Sequence, residues 1–243
     1  MGKTRSSLRL PPAGRAPTAS SPVRLSLLDG FEVVAGDEPV ELPLAAQRLV
    51  AFVALHARPV LREHAAGTLW LDSTEARAAG NLRSTIWRVQ RRVGRLLAVD
   101  ARTLRLAPGV EVDLRALETP AAADPHVFAG ELLPGWYDDW VLLERERCRQ
   151  LSLRALDAVC EQHLQAGSLG AALEAGLLAV SLEPLRESAH RAIVRVHLAE
   201  GNVCEALRQY RLCTRLLAEQ LGVAPTRQMR DLIDPLDVRE TKR

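Results

Sequence analysis

Short apolar–polar alternations open the patterned part of the chain. Val23-Arg24-Leu25-Ser26-Leu27 alternates, Phe31 to Val34 follows Asp29-Gly30, and Val40-Glu41-Leu42 follows Gly36-Asp37. Asp-Gly and Gly-Asp pairs accommodate the positive φ of hairpin turns, so this stretch predicts a small antiparallel meander. Leu44 to Ala57 then reads as a buried helix with Leu49, Val50 and Val53 inward, stopped before Pro59. A short second helix is expected from about Leu61 to Trp70, with Trp70 in the core. Asp72 with Glu75 three residues on has the form of a capping box, opening a third helix that runs to about Arg95.

That third helix has two distinct sides. At 100° per residue, Leu82, Ile86, Val89 and Val93 fall within roughly a 60° arc. Arg77, Asn81, Ser84, Arg88, Arg91 and Arg95 fall within an opposite stripe of roughly 80°, flanked by Arg83 and Arg92. The segment 75–95 carries six Arg against one Glu. Leu96 to Val99, Thr103 to Leu106 and Val110 to Val112 follow as a hairpin and a return strand, with Arg102 near the tip and Arg105 close by. Three helices and then a hairpin with Arg at its tip is the layout of a winged helix. Trp87 lies beside the basic stripe and is expected to pack against neighbouring helices.

Beyond residue 113 the periodicity is helical throughout. Leu132-Leu133-Pro134-Gly135-Trp136-Tyr137-Asp138-Asp139-Trp140 leads into a long helix from about Val141 to Gln165. His163-Leu164-x-x-Gly167 recurs as His197-Leu198-x-x-Gly201, Ala172-Leu173 as Ala206-Leu207, and Leu178 and Leu182 as Leu212 and Leu216, all at a shift of 34. A 34-residue period of helix, Gly turn and Ala-Leu pair is the tetratricopeptide signature. Each helical hairpin of that kind buries its face only against a neighbour, and small residues let the neighbours approach. Leu221-Gly222-Val223-Ala224-Pro225 stops the last repeat, and a final helix is expected from Thr226 to Ile233.

Length and composition agree with two modest units. The 243 residues are 47% hydrophobic and 26% charged, and aromatics supply only 4%, so Leu, Val and Ala must build the core. The expected fold is mainly α: a basic tail (1–22) without periodicity, a winged helix-turn-helix domain with its small meander and wing (23–113), an all-α tetratricopeptide-like domain (114–236) and a short tail (237–243). The first 22 residues have no continuous apolar region of the kind a secretory signal needs, and no apolar run approaches a membrane span, so a cytoplasmic protein is expected.

Charge is graded along the chain. Residues 1–22 carry +4, residues 23–115 carry +2, and residues 116–243 carry −4. Such a modest excess leaves affinity for a polyanion dependent on whether the basic groups cluster.

Catalytic and metal-binding signatures are missing from the sequence. Cys148, Cys160, Cys204 and Cys213 form no C-x-x-C pair, and their separations fit buried small hydrophobes better than zinc ligands. His190 and His197 are seven apart without an H-E-x-x-H frame, and there is no Gly-rich phosphate loop, G-x-S-x-G or S-x-x-K. Asp138 and Asp139, adjacent at a helix start, point in different directions and suit an N-cap better than a catalytic pair. Neither an enzyme nor a cofactor or metal is expected.

The chemistry that the basic stripe does suit is duplex DNA. Arg bonds bidentately to guanine O6 and N7, Asn to adenine N6 and N7, and Ser or flanking Arg to phosphates. Asn81, Ser84, Arg88 and Arg91 are therefore expected nearest the bases or phosphates. Arg77, Arg83, Arg92, Arg95 and Arg102 are expected to hold the backbone.

Three motifs carry a family resemblance: Asn81-Leu82-Arg83-Ser84-Thr85-Ile86-Trp87-Arg88-Val89, Leu132-Leu133-Pro134-Gly135 with Trp140, and Ala206-Leu207-Arg208-Gln209-Tyr210 ending in Leu221-Gly222-Val223-Ala224-Pro225. With the order of elements, they make residues 23–235 resemble the Streptomyces antibiotic regulatory protein family of transcriptional activators. The resemblance implies an OmpR-type winged helix followed by a bacterial transcriptional activation domain. It also implies binding to direct repeats in promoters as paired copies, contact with RNA polymerase, and control of secondary-metabolite biosynthesis genes. The competing reading is a protein-interaction adaptor that uses the tetratricopeptide-like half without specific DNA binding.

Overall fold

The structure is a computed structural model describing residues 22–118 and 124–236, so the expectations for the tails, Pro22 excepted, lie outside the described residues. Three short strands, β1 (Val23–Ser26), β2 (Glu32–Ala35) and β3 (Glu38–Pro39), form an antiparallel meander where the turn dipeptides predict one, with the third strand just after the turn rather than at the expected Val40–Leu42. Asp29 takes φ 59° and Gly36 φ 68°, the left-handed positions that these turns require. Helices α1 (Leu44–Ala54), α2 (Arg62–Leu69) and α3 (Glu75–Arg92) follow, then β5 (Leu97–Val99), β6 (Thr103–Leu106) and β7 (Val110–Val112). Before α2, Val60–Leu61 forms a two-residue strand, β4, on the far edge of the hairpin β5–β6.

Strand β7, the expected return strand, lies parallel to β1, pairing Val23 with Val110 and Leu25 with Val112, and so ties the hairpin's exit to the N-terminal sheet. The start of α3 is Thr74 rather than Asp72, with no side-chain cap. A turn from Ser73 N–H to the Trp70 carbonyl (3.0 Å) carries the chain two residues past the expected box before the helix begins.

The first hydrophobic core does not end with β7. It runs from Val23 through α1–α3 and includes Leu132, Leu133, Val141 and Cys148, with Trp136 and Trp140 packed against it. Leu132 bridges to Leu28, and the Leu133 N–H donates to the Leu27 carbonyl at 2.9 Å. Trp140 stands edge-on to Phe52 at 5.3 Å, while Phe31 stacks on Trp136 at 6.1 Å. Arg145 donates to the carbonyls of Leu132, Leu133 and Trp136 at 3.0, 2.8 and 3.1 Å. Asp138 sits at the N-cap of the long helix, yet its carboxylate is paired with Arg48 of α1 instead of capping. The expected cap is thus a cross-link between the two halves.

The second half is a stack of antiparallel helices: α4 (Asp139–Gln165), α5 (Leu169–Leu182), α6 (Glu187–Ala199) and α7 (Val203–Leu221), closed by the short α8 (Arg227–Arg230). The 34-residue repeat is visible in the backbone. Gly167 and Gly201 take φ 74° and 76°, and in each copy the residue after the glycine donates to the histidine carbonyl, at 2.9 and 2.8 Å. Ala172 and Ala206 are fully buried at equivalent places. Cys148, Cys160 and Cys213 are buried as expected, and burial pushes each thiol up to about 11. Cys204 is the exception, exposed at the start of α7.

Candidate nucleic-acid interface

Helix α3 forms because its apolar positions recur at helical spacing and find a partner. Leu82, Ile86 and Val89 are buried with Ala78 and Thr85, all on the side facing α1 and α2. Fully burying side chains of this size contributes roughly 1.5–3 kcal/mol each. The helix ends at Arg92 because Gly94 is a poor helix residue and the hairpin ladder takes over at Leu97.

The opposite side is left to solvent. Arg77, Arg83, Ser84, Arg88, Arg91 and Arg92 are exposed, and Asn81 is half-buried. Arg95 is exposed too, but it lies beyond the helix end. Arg102 is exposed at the turn of the β5–β6 hairpin, where its own carbonyl accepts from the Arg62 N–H at 2.9 Å. The structure therefore gathers Arg77, Asn81, Ser84, Arg88 and Arg91 on one helical face and sets Arg95 and Arg102 on separate elements.

Among the described residues, none of these arginines lies in an ion pair. Arg92 makes only a long contact to the Glu41 carbonyl, 3.5 Å. The second half behaves differently: Arg149, Arg186, Arg191, Arg195 and Arg208 are paired with Glu183, Asp157, Glu187, Glu161 and Glu205. Guanidiniums paired with carboxylates are already neutralised, whereas those on α3 keep their full charge for an external anion.

Trp87 departs from its expected packing role. It is 57% exposed, and the Arg91 guanidinium lies over its ring at 5.2 Å. Helical spacing of four puts the two side chains one above the other, so the indole holds Arg91 in place by a cation–π contact. No helix among the described residues is long and apolar enough to cross a membrane.

Comparison with known proteins places this geometry in context. Residues 91–236 match the family described as bacterial transcriptional activator domain. The fold is similar to that of Mycobacterium tuberculosis EmbR, solved in complex with a low-affinity phosphopeptide, with a TM-score of 0.73 at 19% identity. The likeness covers 89% of this chain and 65% of the EmbR chain, so the chain spans about two thirds of that protein's length. No curated protein sequence matches the chain.

Proposed function

The chain belongs to the bacterial transcriptional activator domain family, and from that premise we propose that it is a sequence-specific DNA-binding transcriptional activator. Residues 23–113 read promoter DNA and residues 114–236 serve activation. The observation that carries the DNA reading is the unpaired guanidinium face of α3, set beside an Arg-tipped hairpin. An α-helix fits the major groove of B-DNA, and Arg88, Arg91, Asn81 and Ser84 lie on the side free to meet base edges and phosphates. Arg77, Arg83, Arg92, Arg95 and Arg102 surround them as phosphate contacts.

Two copies bind direct repeats about one helical turn, roughly 34–36 Å, apart and pair on the DNA. RNA polymerase recruitment, control of secondary-metabolite biosynthesis genes and residence at the nucleoid extend the reading along the family resemblance carried by Leu132-Leu133-Pro134-Gly135 and Leu221-Gly222-Val223-Ala224-Pro225.

The test is a binding titration on the promoter fragment upstream of the chain's own gene, repeated across salt. Arg88→Ala is expected to cost about 1–3 kcal/mol at the base it reads, and Arg91→Ala to weaken binding with a shallower salt slope. If both variants keep the parent affinity and salt slope, α3 is not the groove element. If the parent is not retained at low salt, the adaptor reading replaces this one.

A further inference from the structure

Where the two halves meet, α1, the strand β6 and the first turns of α4 line a cleft of about 600 Å³ that is open to solvent on one side. Its lining is mixed: Val53, Leu55, Leu106, Val112, Cys148 and Leu151 belong to the apolar part, and charged side chains form much of the polar part. Four guanidiniums ring it, each from a different element: Arg58 from the turn after α1, Arg105 from β6, Arg115 from the 3-10 turn after β7, and Arg147 from α4. Glu144 is the only acid in the lining, and it pairs with Arg147 at 3.2 Å. Arg58, Arg105 and Arg115 have no carboxylate partner among the described residues. The His56 ring, also at the wall, is engaged with the Phe52 carbonyl at 2.7 Å.

We propose that this cleft is a binding site for a small amphipathic anion, an apolar ring-sized body bearing one carboxylate, sulfonate or phosphate. Size, lining and charge each point there. Clefts of roughly 300–1,000 Å³ with apolar walls and a few convergent polar groups hold small organic ligands. With Arg147 paired to Glu144, the unpaired Arg58, Arg105 and Arg115 select a negative head, since guanidinium forks bond carboxylate and phosphate bidentately. The site stands apart from α3: none of its lining residues belongs to that helix. Its occupant touches both halves of the molecule at once.

Calorimetric titration of the full chain with 1-naphthaleneacetate, and in parallel with the neutral 1-naphthaleneacetamide, tests the assignment. These probes share an apolar body and differ in charge. The acetate is expected to bind saturably at one site, at least tenfold more tightly than the amide, and to raise the thermal midpoint, as any ligand selective for the native state does. The double variant Arg105→Gln/Arg115→Gln removes only exposed, unpaired charges, so it leaves the fold intact; it is expected to lose at least tenfold in acetate affinity with the amide unchanged. Arg208→Gln, an exposed arginine on α7, is expected to bind the acetate like the parent. Equal affinity for the two probes, no saturable acetate binding, or a double variant that binds like the parent would each overturn the proposal. DNA binding does not enter this measurement, so its outcome is separate from that of the promoter titration.

Discussion

At Gly176 two helices of the repeat stack meet with no room for a side chain. A Cβ built there lies 2.8 Å from Cγ1 of Ile193, which is buried on α6. Gly176→Ala therefore forces the core apart, and a loss of about 1–3 kcal/mol is expected in chemical denaturation. His190 is another residue whose surroundings set its chemistry. It is fully buried, with Nε2 2.8 Å from the Pro184 carbonyl and Nδ1 2.7 Å from the Gln209 amide nitrogen. The neutral ring fits, donating from Nε2 and accepting at Nδ1, whereas an imidazolium would aim a second N–H at an N–H donor. Burial accordingly lowers its pKa, with the Pro184 hydrogen bond acting in the opposite sense. A depressed folded-state pKa means that the unfolded chain takes the proton first. The stability His190 contributes is thus present above the ordinary value near 6.5 and is lost as pH falls through the lower folded value. Ring titration by NMR is expected to show His190 protonating below 6.5, with the denaturation midpoint dropping from pH 7.5 to pH 5.

Among the elements, those with strong periodicity were readable from the chain itself. The apolar arc of α3 and its basic stripe follow from 3.6-residue geometry, and the 34-residue repeat follows from the recurrence of glycines and alanines at matching places. What escaped was decided at long range. The partner of β7 is set by β1, more than eighty residues earlier, and a parallel pairing leaves no turn signature between the two strands. Trp87 reads from sequence as packing material because composition says nothing about which neighbour is near; the Arg91 side chain, not a helix, lies over its ring. Its place at a helix start suggests a local cap for Asp138, but Arg48 of α1 claims it. The same long-range packing makes the start of α4 part of the first core. A fragment of residues 22–118 would leave out Cys148 and the buried side chains of Leu132, Leu133 and Val141, the last three worth roughly 4.5–9 kcal/mol of burial against a typical domain stability of about 5–15 kcal/mol. That fragment is expected to lose its near-ultraviolet circular dichroism, while residues 22–150 retain it.

At the scale of the whole molecule, three cores are strung along one chain: the first spans the sheets, α1–α3 and the start of α4, the second lies between α4 and α6, and the third between α6, α7 and α8. Three of the four thiols sit in these interiors with pKa values near 11, so at neutral pH they are protonated and shielded, and the reactive species is the thiolate. Cys204 alone faces water. A maleimide dye added at pH 7 is expected to attach once per native chain and four times after denaturation, a count that mass spectrometry reads directly. Without altering a single residue, the molecule thus offers a lone anchor for a fluorophore on its repeat stack, and energy transfer from that point to a dye at one end of a duplex would measure how the chain is oriented along it.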